Sequence, residues 1–147
     1  FFEIFKGNQF TSLRGITLWG LSGAFVYISL SGINRSSFLG LHIFMGVLGT
    51  FWFILNSYLM HYFELSNKFF AVRNHNFIWI NTFYRVDDIK EIVFETRHKA
   101  PYCLRIITND FRNKLYPACT LRDKTWLDLK HKLELKRIPV RNECIPV

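Results

Sequence analysis

Past Gly49 the chain contains no glycine: all eight lie in its first third. A phosphate-cradling loop needs glycine's backbone freedom where a strand meets a helix, so none is expected in the rest of the chain. Acidic residues are one-sided in the same way. Before Tyr62 there is only Glu3, and the only bases are Lys6, Arg14 and Arg35. Of the 19 Lys/Arg and 11 Asp/Glu in the whole chain, 16 and 10 therefore fall from Tyr62 onward. Cysteine is scarce, with Cys103, Cys119 and Cys144 alone. An odd count without short paired spacings argues against a disulfide framework and a zinc site, and fits reduced thiols in a cytoplasmic domain. Catalytic groupings are missing too. Asp87 and Asp88 are neighbours and on a strand would face opposite sides, while Cys103 and His98 lack a third orienting group. Neither an enzyme nor a cofactor or metal site is expected.

What the first third does have is apolar length. Gly15 to Asn34 carries no formal charge, over about 20 residues, which is the length that crosses a bilayer. A second uncharged stretch runs from Ser36 to Phe63, long enough to span with tilt. With so short a connection between them, the two are expected to form an antiparallel helical hairpin over residues 15–63, about 15–34 and 36–63. Neither run is followed by a small-residue cleavage site, so no cleaved signal peptide is expected. Since Phe1 is not methionine, an initiator segment is expected to be missing or removed. Lys6, Arg14, Lys68 and Arg73 flank the hairpin on one side and only Arg35 lies on the other, which orients both termini to the cytoplasm. Trp19, Trp52, Tyr58 and Tyr62 are candidate interfacial anchors. Gly20 with Ala24, and Gly46 with Thr50, make small-xxx-small pairs through which helices can approach closely, either within the hairpin or against another subunit. His42 and His61, in or beside the second span, read as interface histidines, because no second pair on the first helix completes a haem site.

From Glu64 the pattern alternates with period two, broken by turn residues. "YFELS" and "FFAVR" flank Asn67-Lys68, and "NFIWINTFYRV" follows Asn74-His75-Asn76. In that long run Ile78, Ile80, Thr82, Tyr84 and Val86 are expected to share a face. "IKEIVFET" sets Ile92 and Phe94 together, and "YCLRIIT" and "RNKLY" flank an Asn109-Asp110 turn. About six short strands imply an antiparallel sheet that curls into a sandwich or barrel. Thr120 with Asp123 then resembles a capping box. Trp126, Leu129 and Leu133 recur at helical spacing, and Pro139 ends the helix. This apolar face is expected to plug the open end of the sheet, with a core containing Ile92, Phe94, Trp126, Leu129 and Leu133.

Strands followed by one capping helix, with "YRVDDIKEIVFE" in the middle and "LRIIT", "LYPA" and "LRDKTWLDL" toward the end, resemble a bacterial pleckstrin-homology-like domain carried on a two-span anchor. The resemblance implies a membrane helical hairpin joined to an all-β or α+β domain, with six to seven strands and one C-terminal helix. It divides the chain into an N-terminal cytoplasmic segment (1–14), the hairpin (15–63), the cytoplasmic domain (64–138) and a tail (139–147). It implies a scaffold that binds lipid headgroups or proteins and has no catalytic constellation. Eukaryotic phosphoinositide readers place several cations across the first hairpin, whereas here only Lys68 and Arg73 stand there.

These features lead to an expected non-enzymatic adaptor or accessory subunit of the bacterial inner membrane, bound to membrane lipids and to other subunits of a complex. The alternative is a sensor of anionic headgroups, drawn to the leaflet by basic residues. Lys68, Arg73, Arg97, His98 and Lys99 are the candidate lipid or partner contacts, and Arg105, Arg112 and Lys114 are candidates to line neighbouring strands. "FIWINTFY" is read as core and edge packing and not as a base-stacking platform, so no nucleic acid is expected.

Overall fold

The computed structural model describes residues 1–31, 39–96 and 101–146. The chain enters a sheet before it enters either long helix. Strand β1 (Glu3–Phe5) leads through a turn into α1 (Leu13–Ser31); α2 (Leu39–Tyr58) returns to β2 (His61–Leu65) and β3 (Phe69–Asn74). β1 pairs antiparallel with β2, Glu3 opposite Leu65 and Phe5 opposite Phe63. Residues 3–5, expected in a segment apart from the domain, thus form its edge strand. Both flanks of the helix pair therefore belong to one sheet and lie at the same end of the pair.

The helices pack against each other with descending register: Trp19 meets Phe53 edge-on at 5.7 Å, Phe25 faces Gly49, and Ser29 faces Gly46. That pairing is antiparallel. Little else covers them, since the buried residues are Gly15 and Leu18 in α1 and Gly49 and Ser57 in α2. Both helices are long and apolar enough to cross a membrane. The second ends earlier than the uncharged run suggests, because the backbone turns at Leu59 and His61 already pairs with Asn74. Uncharged strand residues had extended the expected span by several positions.

The expected single curled sheet is replaced by two separate four-stranded sheets, neither curled into a barrel nor closed. The first has the order β1-β2-β3-β4, where β4 is Asn81–Arg85. A short 3-10 turn at Val86–Asp88 then redirects the chain into β5 (Ile89–Glu95), β6 (Cys103–Thr108) and β7 (Asn113–Pro117). The second sheet has the order β7-β6-β5-β8; β8 (Val140–Asn142) runs parallel to β5. The six strands read from alternation are all present, and β1 and β8 are additional. Both are three residues long, too short to display a period. The long run from Asn76 is strand only from Asn81 onward: Phe77 to Ile80 form a turn closed by the Ile80 amide donating to the Phe77 carbonyl at 2.9 Å. Ile78 is consequently 84% exposed and shares no strand face with Tyr84.

Helix α3 (Asp123–Leu135) fills the space between the sheets. Trp126, fully buried, touches Phe63 of the first sheet and Phe94 of the second, with ring centroids at 5.7 and 4.9 Å. Ile92, Leu129 and Leu133 are buried beside it. The capping box does not form. Arg122 is the N-cap and makes no side-chain cap bond, while Thr120 is buried with its hydroxyl 3.5 Å from His75 Nε2. The helix ends with the Ile138 amide donating to the Leu133 carbonyl and Arg137 to Glu134, which forces Arg137 to a φ of 59°.

Candidate functional site

The two sheets join at one end and part at the other. At the joined end, where α2 runs into β2, Met60 bridges Ala118 and the His61 Nδ1–H donates to the Pro117 carbonyl at 2.9 Å. Asn74 donates to the Ser57 carbonyl at 2.9 Å, tying β3 to the last turn of α2. His61, expected beside the membrane span, is a buried strand residue. Burial lowers its pKa, opposed by its bond to Pro117 and reinforced by Lys114. His75 is lowered too, to about 4, by burial and then by Lys6.

At the parted end the edge strands β4 and β7 flank a cleft of about 720 Å³. Neither edge pairs with another strand among the described residues. A hydroxyl–hydroxyl bond of 2.6 Å between Tyr84 and Tyr116 spans the gap. Burial, and then this bond, raises the Tyr84 pKa, so its hydroxyl keeps its proton. Beyond the bridge the walls carry Phe83, Arg85, Asp88, Asp110, Arg112 and Lys114. Among the described residues no acid lies within ion-pair distance of Arg85 or Arg112. The Asn109 side chain ties the β6–β7 turn to the Asp87 carbonyl at 2.9 Å, fixing the cleft floor against the 3-10 turn. In the β6–β7 turn Phe111 is exposed at a φ of 59°, a backbone region that disfavours bulky side chains. Lys90 covers its ring at 4.1 Å.

Strand register places these groups. Asn81, opposite Arg73, lies at the end nearest α2, and Arg85, opposite Phe69, lies at the far end, about 13 Å away along the strand. Lys68 is in the turn of the β2–β3 hairpin, also at the far end, where its carbonyl accepts from the Val86 amide at 3.0 Å. Arg73 lies nearer α2 but pairs with Glu64 at 3.2 Å. The two cations that follow the span closely in sequence are therefore not together: one is distant and one is neutralised. Arg97, His98 and Lys99 lie outside the described residues. Of the three bases expected to line neighbouring strands, Arg112 and Lys114 reach the cleft, while Arg105 is held by Glu95 through bonds of 2.9 and 2.7 Å. Arg85 was missed, although its place ending a strand that alternates from Asn81 was a usable signal.

In the helix pair, a Cβ on Gly49 would stand 2.6 Å from Phe25 Cβ, and one on Gly46 would stand 3.4 Å from the Ser29 hydroxyl. These two glycines set the contact. Gly20 has open space around it and Ala24 is exposed, so that pair faces away from α2. Thr50 is exposed and its hydroxyl donates back to the Gly46 carbonyl at 2.9 Å. Among the described residues no three His, Cys, Asp or Glu side chains converge as a metal ligand set. Burial pushes the thiols of Cys119 and Cys144 up to about 11, which leaves them un-ionised at neutral pH. Comparison with protein-family models, with curated proteins and with solved structures returns no match.

Proposed function

We propose that this chain is a non-enzymatic, membrane-anchored scaffold of the pleckstrin-homology-like kind, which presents the cleft between β4 and β7 to a protein partner in the cytoplasm. The observation that carries this reading is the placement of the cleft at the end of the β domain remote from α2. Ile16, Val26, Ile43, Val47, Phe51 and Ile54 are exposed around the helix pair, an apolar surface too continuous for water, and lipid is its natural solvent. With the helices in a bilayer, α1 and α2 hold the domain by two covalent connections, into β1 and β2, so the cleft points away from the leaflet. Two sheet edges that are unpaired among the described residues supply backbone donors and acceptors for an extended segment. Arg85 and Arg112, which have no acid at ion-pair distance among those residues, supply charge.

Headgroup sensing by the same bilayer is less well supported, because Lys68, Arg85 and Arg112 lie far from the membrane end and Arg73 is paired. The test is site-specific photo-crosslinking in native membranes, with the reactive side chain at Phe83 in the cleft and at Val47 in α2. A discrete protein adduct from position 83 and lipid adducts from position 47 are expected. Lipid adducts from position 83 would reverse the choice between partner and headgroup.

A further inference from the structure

The turn between β3 and β4 lies at the opposite end of the domain from the cleft, and the scaffold does not use it. Phe77 to Ile80 are all apolar; Ile78 is 84% exposed and Trp79 75%, with Phe77 and Ile80 half-buried beside them. No Asp, Glu, Lys or Arg occurs between Arg73 and Arg85. A free loop of this composition would bury itself or drag the chain into aggregation. This one is held in place. Asn74 Oδ1 accepts from the amides of Asn76 and Phe77 at 2.9 and 3.0 Å, and Asn76 Nδ2 donates to the Ser57 hydroxyl at 2.8 Å. Ser57 is fully buried in the last turn of α2. The Phe77 and Trp79 rings stack at 5.1 Å, so they present one aromatic unit.

We infer that the Phe77–Ile80 turn is a third membrane contact, which seats Trp79 and Ile78 in the headgroup region of the leaflet from which α2 emerges. The inference rests on the bilayer reading of α1 and α2. It deepens that reading by assigning a lipid-facing role to residues in the β domain. Its grounds are continuity and composition: the turn is bonded to the helix end that must lie at the interface, and indole is the side chain best suited to that depth. Because it carries no cation, it recognises the interface and not a particular headgroup. With α1 and α2 it makes a tripod, which fixes the height and tilt of the domain and hence the direction of the cleft.

The chain has only four tryptophans, Trp19, Trp52, Trp79 and Trp126, and together they report every arm of the test. The full chain is labelled with 5-fluorotryptophan, placed in nanodiscs of phosphatidylcholine and phosphatidylglycerol, and its four fluorine resonances are assigned with Trp79→Phe, Trp19→Phe and Trp52→Phe. The Trp79 signal should lose most of its intensity to a lipid spin-labelled at the headgroup and little to a water-soluble gadolinium chelate. Trp52 should respond to an acyl-chain label, and buried Trp126 to none. Broadening of Trp79 by the chelate alone, with Trp52 still broadened by lipid, overturns the third contact and leaves the bilayer reading standing. A Trp79 signal spared by both reagents also overturns it, since protein would then cover the turn. If Trp19, Trp52 and Trp79 are all untouched by lipid labels, the bilayer reading falls as well.

Discussion

Tyr84 and Tyr116 meet hydroxyl to hydroxyl at 2.6 Å across two sheet edges that share no backbone ladder. The pair helps to set how far the cleft opens, together with the Asn109 tie to the Asp87 carbonyl at its floor. Tyr116→Phe leaves the half-buried Tyr84 hydroxyl without this partner and should cost about 0.5–1.5 kcal/mol. The double change Tyr84→Phe with Tyr116→Phe should cost less than the sum of the singles, because neither hydroxyl remains to be satisfied. Urea unfolding of the detergent-solubilised chain, run as a double-mutant cycle, measures the coupling. Strict additivity would mean that the bond contributes nothing.

Gly49 permits the approach of α1 to α2. A leucine there would drive its Cβ into Phe25, whose own Cβ stands 2.6 Å from that point. Overpacking of this kind costs about 1–3 kcal/mol, so Gly49→Leu should splay the helices, while Gly20→Leu should not. Cysteine cross-linking between Ser29→Cys and Gly46→Cys reports the separation, and Phe25→Ala should partly rescue the Gly49 variant.

His75 gives the fold a pH edge. Its pKa falls from the ordinary 6.5 to about 4 on folding, through burial and then Lys6. In the intervening range the unfolded chain binds the proton and the folded chain does not. Stability from this group is therefore complete above about pH 6.5 and is lost as pH falls toward 4. His61, also lowered, acts in the same direction. Thermal melts across this range should slope downward toward acid, and His75→Gln should flatten part of the slope. An unchanged slope would assign it to carboxylates instead.

Arg137 ends α3 at a φ of 59°, in the left-handed region where a side chain is strained. Arg137→Gly should relieve that strain and stabilise the chain by about 0.5–1 kcal/mol after allowing for the greater freedom of glycine when unfolded. The same change at half-buried Lys136, which is not left-handed, should destabilise. Chemical denaturation of both variants separates the two cases.

Local signals in the sequence were strong for the helices and for the strands β2 to β7. A bilayer-length apolar run, or alternation over five residues, records its environment directly in composition, because each side chain must match the medium it faces. The Trp126, Leu129 and Leu133 stripe was legible for the same reason. The candidate site was read only in fragments: Arg112 and Lys114 were singled out, Arg85 was passed over although it ends an alternating strand, and Lys68 and Arg73 looked like neighbours of the bilayer because they follow α2 so soon. A five-residue strand was enough to carry Lys68 away from the helix.

The sequence by itself therefore determined the kinds of element and their order, since these depend on periodicity and on the length of uncharged runs. Only the tertiary structure decided that Glu3–Phe5 and Val140–Asn142 are strands, that the ladder is divided into two sheets, and that the "FIWI" stretch is a turn bonded to Ser57 and not a strand face. Three-residue strands have no stability of their own and exist because Leu65 and Ile92, far along the chain, offer them an edge. Such pairings are fixed by partners distant in sequence, and no local pattern of residues encodes them.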